Sequence, residues 1–195
     1  MKKKFLIGLL VIIGVFVITG CKNEKDSQSN NTKLDNDKSY NINGVSIKLD
    51  KDDNRDNIKY KISSSFTRNF STTTSTYTIY KDKNKDKYDL SNITFRLDVN
   101  VDTMNSESKI EREKQLVNAK ESFKNIEQSQ KTINETTWEY FSFDNMNDDE
   151  NSFKEHLYIT EKKVNNYYYI YKVYFSFADD ITEFENAFMD SIVFE

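Results

Sequence analysis

Residues 167–177 read YYYIYKVYFSF. Taken alternately, one set is Tyr167, Tyr169, Tyr171, Val173, Phe175 and Phe177. The other is Tyr168, Ile170, Lys172, Tyr174 and Ser176. A strand with one wet face carries polar residues at every second position. Here both sets carry aromatics, so both sides of this strand are expected to be covered. A helix on each side would do it, which predicts an α/β/α sandwich around a central, mostly antiparallel sheet, an α+β fold.

Period two also dominates around that strand. Val45, Ile47 and Leu49 alternate with Ser46 and Lys48, and Ile58, Tyr60 and Ile62 with Lys59 and Lys61. Ile93, Phe95, Leu97, Val99 and Val101 alternate with Thr94, Arg96, Asp98 and Asn100, the cleanest half-buried strand in the chain. Further strands are expected at 75–80, 137–143 and 153–161. Short polar links such as 145–151 and 162–165 favour antiparallel hairpins over crossovers. Two helices are predicted. Ser108 and Glu111 have capping-box spacing, followed by an apolar face of Leu116, Ala119, Phe123 and Ile126. Asp179-Asp180 precede a second stripe of Ile181, Phe184, Ala187 and Phe188. Residues 191–194, SIVF, suit a last packed segment.

These stretches resemble the PsbP-like family of photosystem lumen proteins and small bacterial lipoproteins. The likeness rests on Ile133 to Tyr140 (INETTWEY), Tyr168 to Ser176 (YYIYKVYFS) and Phe184 to Phe194 (FENAFMDSIVF). It covers about Val45 to Phe194. Where the family has a glycine before its Trp strand, this chain has Glu135-Thr136. The resemblance implies an assembly, docking or binding role and brings no shared catalytic residues; fold alone does not fix function.

The amino terminus reads as an address. Lys2, Lys3 and Lys4 precede an apolar run at 5–18, which is short for a membrane span and suited to a signal-peptide core. It ends Val17-Ile18-Thr19-Gly20-Cys21, which resembles a lipoprotein lipobox and implies a diacylglyceryl group on Cys21 after cleavage before it. Cys21 is the only cysteine, so no intramolecular disulfide is available. The expected organisation is a signal peptide at 1–20, the lipidated Cys21 with a flexible polar tether at 21–39, and one domain at 40–195. Two acyl chains suffice for stable attachment. Removing the leader takes the formal charge from −4 to −7, which makes nucleic acid an unexpected partner.

Gly44 is the only glycine after residue 20, which excludes Gly-rich phosphate loops and the G-x-S-x-G elbow. His156 is the only histidine. As a ligand or general base it would want a second His, a Cys or an orienting carboxylate; a packed or exposed strand histidine is the default. Asp50, Asp52, Asn54 and Asp56 carry oxygens at alternate positions, as do Asp82, Asn84 and Asp86. Calcium loops want Gly at the sixth place and Glu at the twelfth, and here those places hold Arg55 and Lys61, then Lys87 and Ile93. Residues 144–150, DNMNDDE, are more acidic but have Met146 at the third place. Solvated loops are expected at all three. The Ser/Thr-rich stretch 63–76 reads as an exposed loop or edge. Tyr168, Tyr174, Trp138 and Tyr140 could line an aromatic groove, although an aromatic core explains them as well.

The expectation is a non-enzymatic envelope binding or assembly factor with no cofactor and no metal. Its partners would be the membrane, through the lipid, and an envelope protein. Its place would be the outer face of the cytoplasmic membrane, in a Gram-positive bacterium on compositional grounds. The alternative is a solute- or metal-binding surface lipoprotein.

Overall fold

The computed structural model describes residues 37–84, 92–146 and 152–195. All of them belong to one compact unit. Cys21, residues 1–36, Asp86 and residues 147–150 lie outside the described residues.

The described residues open with two hairpins. β1 (Ser39–Ile42) and β2 (Val45–Lys48) are joined by Asn43-Gly44, with φ of 51° and 76°. β3 (Lys51–Arg55) and β4 (Ile58–Ile62) are joined by Asp56-Asn57, with φ of 35° and 62°. Two consecutive left-handed residues give the turn whose twist matches paired strands, and Asn, Asp and Gly tolerate it best. β12 (Val193–Phe194) adds to β4 and completes a three-stranded sheet.

The larger sheet has seven strands in the order β5, β6, β7, β11, β10, β9, β8, with every neighbouring pair antiparallel. These are β5 (Thr67–Phe70), β6 (Thr74–Tyr80), β7 (Ile93–Asn105), β8 (Phe123–Ile133), β9 (Thr136–Met146), β10 (Ser152–Val164) and β11 (Tyr167–Phe177). β11 lies in the middle, as its two-sided apolar pattern requires. Two helices of nine residues complete the fold: α1 (Ile110–Asn118) and α2 (Thr182–Asp190).

One face of the large sheet holds the main core. Leu97, Val99, Val173 and Phe175 meet Phe184 and Phe188 of α2, Ile58 and Tyr60 of β4, and Tyr40 and Ile42 of β1. The Phe175 ring presents edges to Phe184 at 6.5 Å and Phe188 at 5.7 Å, the favoured aromatic geometry. Each such side chain contributes about 1.5–3 kcal/mol through burial. On the opposite face Phe141, Phe143, Leu157, Ile159 and Ile170 pack with Val117 of α1. α1 is further held by Lys172, whose ammonium donates to Glu113 at 2.8 Å and pairs with Asp102.

The expected α/β/α sandwich is therefore corrected. The molecule is mostly β, and its two short helices do not form layers. The layer over the main core is built chiefly of the β1–β2 hairpin and the three-stranded sheet, with α2 set among them. Alternation in β11 showed that something covers it, but apolar strands cover a face as well as helices do.

The first helix is also shorter than expected. Leu116 is exposed, the helix stops at Asn118, and Phe123 opens β8. Asn125 takes φ 52°, and the β8–β9 register slips by one residue between Lys124 and Glu127. This β-bulge turns Phe123 and Ile126 to the same side, where both join the α1 cluster. A spacing of three that reads as helical is here a bulged strand. The capping box is not formed either. Lys109 is the N-cap residue, and its backbone N–H donates to the Glu161 carboxylate at 2.8 Å. At α2, Asp180 accepts from the Thr182 N–H at 2.9 Å and hydroxyl at 2.6 Å, one position before the N-cap residue Ile181.

Candidate functional site

Alternation along β10 sends Leu157 and Ile159 toward α1, and so turns His156 and Tyr158 toward α2. Above them the inner side of α2 carries Phe184, Phe188 and Met189, and among these apolar residues sits Glu185, 3 % exposed. Its carboxylate accepts from His156 Nδ1 at 2.7 Å and from the Tyr158 hydroxyl at 2.5 Å. An isolated buried carboxylate would be strongly disfavoured, and these two donors offset its lost hydration. An ionised Glu185 can only accept, and opposite it His156 Nδ1 is the donor.

Lys131 reaches in from β8. Its ammonium donates to the Tyr158 hydroxyl at 2.9 Å and lies 3.4 Å from the centre of the Tyr140 ring. A relay of donors thus runs from Lys131 through Tyr158 to Glu185, with His156 on the far side. Burial lowers the Lys131 pKa, and the Glu185 charge opposes that shift. Burial raises Tyr158 far above the usual tyrosine range, with the Glu185 charge adding to it. Tyr140 is pushed up to about 12 by the same two causes in the same order.

The His156 side chain is half-buried, 20 % exposed, and its ring packs against Tyr140 at 5.3 Å and Phe177 at 4.8 Å between centroids. Ser142 stands opposite it in the β9–β10 register, but no side-chain hydrogen bond joins the two. A cavity of about 260 Å³ lies elsewhere, lined by Asn43, Lys81, Ile93, Thr94, Phe153 and Ala178. The histidine therefore has the orienting carboxylate that general-base chemistry needs, yet faces neither that cavity nor a hydrogen-bonded nucleophile.

The other candidate residues are dispersed. Asp50 accepts from the Ser64 N–H and hydroxyl, both at 2.7 Å, and those bonds lower its pKa. Lys51–Arg55 is strand β3, with Asp52 paired to Lys61 and Asp56 beside Arg55. Asp82 accepts from the Asn84 N–H within a turn. Asp144 accepts from Asn125 at the bulge. Among the described residues no three His, Cys, Asp or Glu side chains gather closely enough to hold a metal ion. Stretch 63–76 contains the edge strand β5, whose four residues are exposed. The aromatic groove does not form: Trp138 and Tyr140 share the main-core face, while Tyr174 packs against the α1 cluster on the other.

Sequence reasoning missed Glu185 and Lys131. Glu185 follows Ile181 by four and precedes Phe188 by three, so it occupies the apolar stripe of α2 itself. That position was a readable signal. Lys131, in the polar run of β8, gave none. No family model matches the chain, and none of the curated proteins compared with it matches.

Proposed function

We propose that the protein is a lipid-anchored, non-enzymatic binding or assembly factor on the outer face of a bacterial cytoplasmic membrane. Cys21 carries the lipid, and the polar stretch between it and β1, which begins at Ser39, is the tether. The observation that supports the non-enzymatic reading is the state of His156. The chain's only histidine spends Nδ1 on a buried carboxylate and packs its ring between Tyr140 and Phe177. The partner expected is an envelope protein. A second reading, a solute-binding lipoprotein, is favoured by the cavity at Asn43, Lys81 and Phe153.

Native mass spectrometry of the protein extracted from its own membranes separates the two. The proposal predicts the bare chain mass together with a stoichiometric protein partner. A reproducible small bound mass, lost on substituting Lys81, would overturn it in favour of solute binding.

A further inference from the structure

The α1 side of the large sheet has two unlike halves. The apolar cluster under α1 draws on β8, β9, β10 and β11, and no residue of β5, β6 or β7 enters it. Across the other half the side chains turned the same way are polar. In register, Thr76 of β6 stands beside Asp98 of β7 and Tyr174 of β11, and Thr74 stands beside Asn100 and Lys172. Thr74, Thr76, Asn100 and Tyr174 are half-buried and Arg96 is exposed, so this half opens to solvent.

The charges here are already matched inside the chain. Arg96 pairs with Asp98 through Oδ2, and Lys172 pairs with Asp102 and Glu113. Glu155 accepts from the Ser176 hydroxyl at 2.7 Å and the Asn145 amide at 3.0 Å. Among the described residues of this surface two buried acceptors are left over. Asp98 is 4 % exposed, and its Oδ1 has no hydrogen-bond partner; nor has the buried Oδ1 of Asn100. Buried polar atoms are nearly always satisfied, because an unmet acceptor leaves its lost hydration uncompensated. The two side chains rise from one face of β7, roughly 7 Å apart along the strand.

What completes these acceptors is a donor that brings no charge. A metal ion would meet the Arg96 guanidinium and the Lys172 ammonium at the same place, and an anion would meet Asp98 itself. An added strand pairs with a sheet edge, and β7 lies inside the sheet. A ligand rich in hydroxyls has the required donors, and the Thr74 and Thr76 hydroxyls can both give and accept. Tyr174 supplies a flat apolar ring beside which a sugar ring can pack.

We propose that this open half of the sheet binds a neutral saccharide. Its hydroxyls donate to Asp98 Oδ1 and Asn100 Oδ1, and a ring lies beside Tyr174. The site is on the sheet face opposite His156 and shares no residue with the cavity at Lys81. It adds a glycan to the protein partner proposed above and does not depend on how the chain is anchored.

An NMR titration of the isotope-labelled full chain, in a non-glycosidic detergent, tests the proposal with chitotetraose and maltotetraose as probes. At least one should shift the Asn100 side-chain amide and the backbone amides of residues 74–76 and 98–100 saturably, and inorganic phosphate should not. Thr76→Val removes one hydroxyl with little change of shape and should raise the dissociation constant of the bound tetrasaccharide about three- to tenfold. Unshifted β9 and β10 resonances in that variant show that the fold is kept. No saturable shift with either sugar would overturn the proposal, as would shifts that map elsewhere or an affinity indifferent to Thr76→Val. Phosphate binding at the same residues would overturn it too, since the surface would then be a charge site.

Discussion

Glu185 on α2 and His156 on β10 are 29 residues apart in sequence and joined by a hydrogen bond of 2.7 Å. The same carboxylate holds Tyr158, so one helix side chain fixes two residues of one strand. Glu185 is therefore expected to set how α2 docks. Glu185→Ala strands a buried tyrosine hydroxyl and a histidine N–H, and should cost about 2–4 kcal/mol. Glu185→Gln keeps the shape and one acceptor, and should cost less. Urea unfolding of both variants checks the order. An unchanged midpoint for Glu185→Ala would show that the bonds add nothing to docking.

Phe188 is fully buried and touches the rings of Tyr60, Phe175 and Phe184. It links α2, the small sheet and the large sheet. Phe188→Ala should destabilise by about 3–5 kcal/mol, with a lower denaturant midpoint in a single transition. Two separate transitions would mean that the two sheets fold independently.

The β8–β9 turn is Asn134-Glu135, at φ 48° and 60°. Asn134 suits that region and anchors the turn, its amide donating to the Asp190 carbonyl at 2.7 Å. Glu135 is an ordinary residue in a left-handed conformation, which costs on the order of 1 kcal/mol. Glu135→Gly should therefore raise stability by up to about 1 kcal/mol, although glycine usually weakens a chain through its entropy. Thermal unfolding gives the sign directly.

Asp50 has its pKa lowered, first by the Ser64 hydroxyl and then by the Ser64 N–H. A carboxylate depressed in the folded state adds stability above its unfolded pKa, near about 4, and loses it as pH falls through the folded value. Ser64→Ala should move the Asp50 pKa upward in a carbon-detected NMR titration. Its stability deficit against wild type should be present at neutral pH and vanish in strong acid.

Strand character was legible where a longer apolar face was buried, but not in the four-residue β1, whose Tyr40 and Ile42 are buried between polar neighbours. β7 alternates cleanly because its odd residues enter the core while its even ones are polar: Arg96 is exposed and pairs with the buried Asp98, and Thr94 gives its hydroxyl to the Ile79 carbonyl. β3, β5 and β8 were not legible, because they are short or polar edges with no continuous apolar face. The bulge at Asn125 went further and gave Phe123 and Ile126 a helical spacing. Layer architecture was misread for a related reason: alternation reports that a face is covered, and not by what. At the candidate site His156 was visible as a singular residue. Its partner lies on α2, beyond β11, and no local pattern connects the two.

Metabolic labelling with a radioactive or clickable fatty acid tests the central claim most directly, because the proposed placement of the domain at the envelope rests on the proposed anchorage through Cys21. The wild-type chain should incorporate the label and remain with the membrane, while Cys21→Ala should lose the label and be released or left unprocessed. Full labelling of Cys21→Ala, or none of the wild type, would contradict the account.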